Sequence, residues 1–142
     1  MNYTAEAFNL IGQQLPTIPV PHDCVIKKIT LNDDWLILSF EDDLSYHESI
    51  KCIHPNARTL TMKFHLIGEP YLELYAYEQR KYENVYVQRK TKKIFMIVKE
   101  GRKLEYIGHY VAFGAMKIEL CADRSYIIGL QTDDIVFEWI EQ

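Results

Sequence analysis

Thr59-Leu60-Thr61-Met62-Lys63-Phe64-His65-Leu66 decides the fold class, because four apolar side chains alternate there with four polar ones without a break. Successive side chains of an extended chain point to opposite sides, so the segment reads as a strand with one dry face and one wet face. The same beat recurs upstream at Leu36, Leu38 and Phe40. It returns downstream at Leu72, Leu74 and Ala76, then at Met116, Ile118 and Leu120. Turn-forming residues stand between these runs: Asn32-Asp33-Asp34, Gly68-Glu69-Pro70, Lys99-Glu100-Gly101-Arg102 and Ala122-Asp123-Arg124. Sequential hairpins at this spacing predict an all-β domain, an antiparallel β-sandwich or flattened barrel of about nine strands.

Outward from that centre, further strands are expected at 25–31, across Val85-Tyr86-Val87, and at 125–131, where Thr132-Asp133-Asp134 reads as the closing turn. The apolar run Ile94-Phe95-Met96-Ile97-Val98 falls in the same series. Residues 42–58 read as a long loop, or a short strand with irregular flanks. Residues 4–15 predict one short N-terminal helix, with Thr4 as cap, Glu6 in the first turn, and Phe8, Ile11 and Leu15 on one face. Pro16 ends it, and Pro19 and Pro21 favour an extended connector over 16–22. Nothing divides the 142 residues, so a single domain over 1–142 is expected.

Composition narrows the function classes. A net charge of −4 gives no global reason to bind nucleic acid or an anionic membrane. No apolar run approaches the length of about 18 residues that a membrane-spanning helix requires. The N-terminal residues do not resemble a signal peptide, and three cysteines without a pairing motif argue against a disulfide framework. A cytoplasmic protein without cofactor is the resulting expectation.

Two groups of residues could carry chemistry. His22-Asp23-Cys24 offers an imidazole, a carboxylate and a thiol, but adjacent extended residues point apart. A structural use is expected instead, with Asp23 accepting backbone N–H groups in the turn after Pro21 and Cys24 entering the core. His47, Cys52 and His54 have zinc-compatible atoms at a spacing that matches no structural zinc pattern, so no metal is expected. No nucleophile elbow or glycine-rich phosphate loop is present, and the Asp pairs fall at expected turns. The sequence therefore predicts no catalytic residue and no enzyme.

His22-Asp23, the aliphatic residues that follow to Ile29, and the Leu36-x-Leu38-x-Phe40 strand resemble the opening of several small bacterial all-β proteins. Some of these are grouped with immunity proteins of polymorphic toxin systems, which bind and block a partner toxin. The resemblance covers about residues 20–41 and implies a binding role without enzymatic activity.

Two features point to binding from the residues themselves. Tyr71, Glu73, Tyr75 and Tyr77 lie on the side of one strand opposite Leu72, Leu74 and Ala76, an aromatic stripe of the kind that interfaces favour. Residues 80–103 carry nine bases against two acids, a net of +7, which leaves −11 for the remainder. Tyr86, Arg89 and Lys90 in that strip join the three tyrosines as the candidate binding residues. A protein partner or a homo-oligomer is the expected occupant. A small ligand in a tyrosine-lined cavity, or single-stranded nucleic acid along 80–103, would use the same residues.

Overall fold

The computed structural model describes residues 2–69 and 71–141, so Pro70 of the expected turn lies outside the described residues. In chain order the elements are β1 (Asn2–Asn9), β2 (Ile26–Asn32), β3 (Trp35–Phe40), α1 (Glu48–Lys51), β4 (Ala57–Leu66), β5 (Leu72–Gln79), β6 (Asn84–Arg89), α2 (Lys92–Lys99), β7 (Glu105–Ala112), β8 (Ala115–Cys121) and β9 (Ser125–Glu141). All ladders between strands are antiparallel. The fold is a sandwich-like all-β domain, as the alternation requires.

The 17-residue strand β9 organises the molecule. Its second part pairs with β4 on one side and β1 on the other, giving a first sheet in the order β2-β3-β4-β9-β1. Its first part pairs with β5 and β8, giving a second sheet in the order β6-β5-β9-β8-β7. The edges do not close into a barrel, although a bridge from Val25, just before β2, to Glu105 and a few backbone hydrogen bonds around it touch the start of β2 to the start of β7. Thr132-Asp133-Asp134, expected as a turn, lies inside β9. The reason is visible in the burial pattern. Tyr126, Ile128, Leu130 and Thr132 face inward at even positions, whereas Ile135, Phe137 and Trp139 do so at odd ones. A bulge resets that phase: the β4 ladder slips between Phe64 and Leu66, opposite Asp133 and Asp134. The strand thus crosses from sheet to sheet with its apolar side kept inward.

Between the sheets, Phe64, Met62, Phe137, Trp139, Leu38, Tyr106 and Ile118 are almost wholly buried. Each fully buried side chain of this size contributes about 1.5–3 kcal/mol by leaving water. Helix α2 covers the open side, where Ile94 and Phe95 meet Ile29 and Leu36 of the first sheet and Leu74 and Ile128 of the second. This corrects the reading of Ile94–Val98 as strand. Ile94 and Ile97, one helical turn apart, are the buried pair, and the lysines around them face water.

The expected N-terminal helix is also corrected. Residues 2–9 form β1, paired one for one with Glu141 to Asp134 of β9. Full pairing satisfies the backbone on that side, while an isolated helix of about 12 residues is marginal in water. Glu6 and Phe8 turn inward, Phe8 meeting the edge of Phe137 with ring centroids 5.4 Å apart. Residues 42–58 hold the short helix α1 between irregular flanks.

Candidate functional site

The outer face of the second sheet carries an open hollow of about 560 Å³. Its floor is Gly129 and Ile127 of β9, and its walls include Glu73 and Tyr75 of β5, Tyr86 of β6 and Lys117 of β8. Strand register explains the shape. Glu73, Gly129 and Lys117 occupy one rung across three strands, and Tyr75, Ile127 and Glu119 occupy the next. Residues on one rung share a face, so the missing side chain at Gly129 leaves a gap between an acid and a base. A Cβ there would meet nothing nearer than the Glu73 Cβ at 4.0 Å, so close packing does not demand the glycine.

The walls are held in place by neighbouring side chains. The Tyr75 hydroxyl donates to Glu73, which raises the Tyr75 pKa above its usual value. Tyr77 packs edge-on against Tyr86 with ring centroids 5.3 Å apart. Burial, then the nearby Glu119 carboxylate, raise the Tyr86 pKa, while a hydrogen bond with Ser125 opposes them. Lys117 is exposed and forms no ion pair among the described residues.

The six candidate binding residues separate. Tyr75 and Tyr86 line the hollow and Tyr77 buttresses Tyr86. Tyr71 precedes β5 and lines a different depression, with Leu31 and Phe95. Arg89 is tied to Glu78, which also holds Arg80. Lys90 is exposed and forms no ion pair among the described residues, as is true of Lys81, Lys92, Lys93 and Lys99, Lys81 lying over the Tyr82 ring. Arg102 and Lys103 are paired with Glu100 and Glu105.

The histidines are structural clamps. His54 donates to Glu6 at 2.6 Å and Glu141 at 2.9 Å, tying β1 to the end of β9. Burial lowers its pKa, but the two carboxylates outweigh burial and the net shift is upward. His65 lies between Asp133 and Asp34, each at 2.7 Å, and those hydrogen bonds raise its pKa. His65, Asp133 and Asp134 bring metal-type ligand atoms within 4.8 Å of one another. Both His65 nitrogens are already engaged, in the double clamp that His54 repeats. His47 turns to Glu41, away from His54, and so these two and Cys52 do not assemble a ligand set.

His22 contacts the Ile107 carbonyl and Asp23, and Asp23 takes left-handed backbone (φ 65°). This differs from the expected use of Asp23: its carboxylate meets His22 rather than turn amides. Cys24 is buried, and burial, then Glu41, push its thiol up to about 12. Burial lowers the His109 pKa, so its ring is neutral: Nδ1 accepts from Tyr106 at 2.5 Å and Nε2 donates to the Ile18 carbonyl at 3.1 Å.

The sequence reading missed Glu73, Lys117, Ile127 and Gly129 as parts of one site. Glu73 was legible within the tyrosine stripe, but the rung that sets Lys117 opposite it depends on strand order. No family model, curated protein or solved structure matches this chain.

Proposed function

We propose that the protein is a non-catalytic binding module that engages a protein partner on the outer face of its second sheet. The observation that carries this reading is the open hollow over Gly129, walled by Tyr75, Tyr86, Glu73 and Lys117 and covered by no element among the described residues. Tyrosines set around a concave apolar floor, with charges at the rim, are the composition of protein interfaces. The outer face of the first sheet makes a useful contrast. A hollow of about 430 Å³ lies there too, lined by Tyr3, Trp35 and Ile37, but its lysine, Lys63, is paired with Glu138, whereas Lys117 forms no ion pair among the described residues. The structural employment of the histidines and the raised Cys24 thiol support binding over acid–base or thiol chemistry. Neutralisation of a toxin, which the resemblance over residues 20–41 implies, is one form such binding takes.

Gly129→Leu tests the reading, because a Cβ there meets nothing nearer than 4.0 Å and the side chain projects into the hollow. The partner recovered with the wild-type protein should be lost with Gly129→Leu and retained with Ile37→Ala on the opposite face. Equal recovery by all three proteins would contradict it.

A small ligand is the second reading, favoured by the size of the hollow, within the range of about 300–1,000 Å³ common for ligand sites. Native mass spectrometry decides it: a retained small mass that Gly129→Leu abolishes would replace the protein partner.

A further inference from the structure

Sheets end in edges, and the four edges of this sandwich are treated differently. The β2 ladder slips between Ile26 and Lys28, and the strand carries Lys27 and Lys28. The β7 ladder slips between Tyr106 and Gly108, and backbone hydrogen bonds between residues 23–26 and 104–106, around the Val25–Glu105 bridge, join these two edges. Bulges, lysines and coverage are the usual protections against pairing with another chain. β1 and β6 have none of them: each pairs its one neighbour without a register slip and contains neither proline nor lysine.

Only at β6 do the surroundings indicate what would pair with it. The strand reads Asn84-Val85-Tyr86-Val87-Gln88-Arg89, rich in residues that favour strands. Lysines without an ion pair among the described residues stand at both ends: Lys81, which lies over the Tyr82 ring, before the strand, and Lys90, Lys92 and Lys93 after it. Lys92 and Lys93 also occupy the first turn of α2, which holds no acid. Their charge adds to the positive potential at that end of the helix, which no acid of its own first turn offsets. A second copy of this chain cannot relieve it. Antiparallel pairing of β6 with β6 about the strand centre would set Lys81 of one copy opposite Lys92 of the other and Arg80 opposite Lys93, and like charges repel. A negatively charged strand would meet attraction at both ends of a length of about 20 Å.

We propose that β6 is a strand-addition edge that accepts an extended acidic segment of the protein partner. The proposal rests on the binding-module reading and names the partner's chemistry. Main-chain hydrogen bonds to β6 would supply the pairing, and the four lysines would select for acid.

The test uses three capped eight-residue peptides, alternating Val-Glu, Val-Lys and Gly-Glu, titrated into the isotope-labelled full chain. Val-Glu should shift the amides of Val85 to Arg89 and slow their hydrogen exchange, with Val-Lys inert and Gly-Glu much weaker. Lys90→Glu with Lys93→Glu should weaken Val-Glu binding by about tenfold or more. Equal binding of Val-Glu and Gly-Glu without slowed β6 exchange would reduce the edge to unspecific charge and overturn the proposal. So would binding of Val-Lys as tight as Val-Glu, or no response at β6. A partner that is lost on Gly129→Leu while β6 stays inert would leave the binding-module reading standing and remove the edge alone.

Discussion

At the scale of single residues, His54 and His65 are the most informative groups, because each imidazole joins separate parts of the chain through two carboxylates. Both pKa values are raised in the fold. Their contribution to stability is therefore fully present below the unfolded value of about 6.5 and is lost as pH rises through the folded value. Carboxylates act in the opposite direction. For Glu41 and Glu138 burial raises the pKa, but hydrogen bonds from Tyr46 and Val25, and from Lys63 and Tyr3, win and the net shift is downward. Stability they confer is present above about pH 4.3 and is lost as pH falls through the folded values. Urea midpoints should thus decline on both sides of a maximum at mildly acidic pH. The double variant His54→Gln/His65→Gln should flatten the alkaline side; an unchanged alkaline decline would remove the clamps from the account. Tyr106→Phe leaves His109 Nδ1 without its donor and should cost about 1–3 kcal/mol in denaturant melts.

At the scale of elements, the legible strands were those that bury one face and wet the other. β3, β4, β5 and β8 follow the alternation of Leu36, Leu60, Leu74 and Ile118 and their neighbours. The failures have physical causes. Residues 2–9 have a weak pattern because β1 is an edge, and its pairing to β9 overrides the helical spacing of Phe8, Ile11 and Leu15. Ile94–Val98 is apolar at every position, so periodicity could not separate helix from strand. Asp133 and Asp134 resemble a turn because a bulge and a turn favour the same residues, and His65 and Asn9 hold them inside β9. The central place of β9 makes Phe137→Ala costly, about 3–5 kcal/mol by chemical denaturation. Lys92→Glu should have the opposite sign, stabilising α2 by about 0.3–1 kcal/mol through the helix dipole. The same change should weaken binding of the acidic Val-Glu peptide, and a gain in stability without that loss would count against the β6 edge.

At the scale of the whole molecule, the two sheets divide the work. The first sheet and the histidine clamps bind β1, β4 and β9 together. The second presents a hollow on its outer face and a smooth edge at β6, with Tyr86 belonging to both. The sequence disclosed Tyr75 and Tyr86 as candidates, because alternation alone puts them on an outer face. It could not disclose the hollow, which exists because β9 places Gly129 between Glu73 and Lys117. The measurement that tests this division most directly is photo-crosslinking in the producing cells. A photoreactive residue replaces Tyr75 in one variant and Ile37, on the outer face of the first sheet, in another. A discrete adduct with one protein from position 75, absent from position 37 and lost when Gly129→Leu is added, is the expected result. The same adduct from both positions, or from position 37 alone, would contradict the placement of the binding surface on the second sheet.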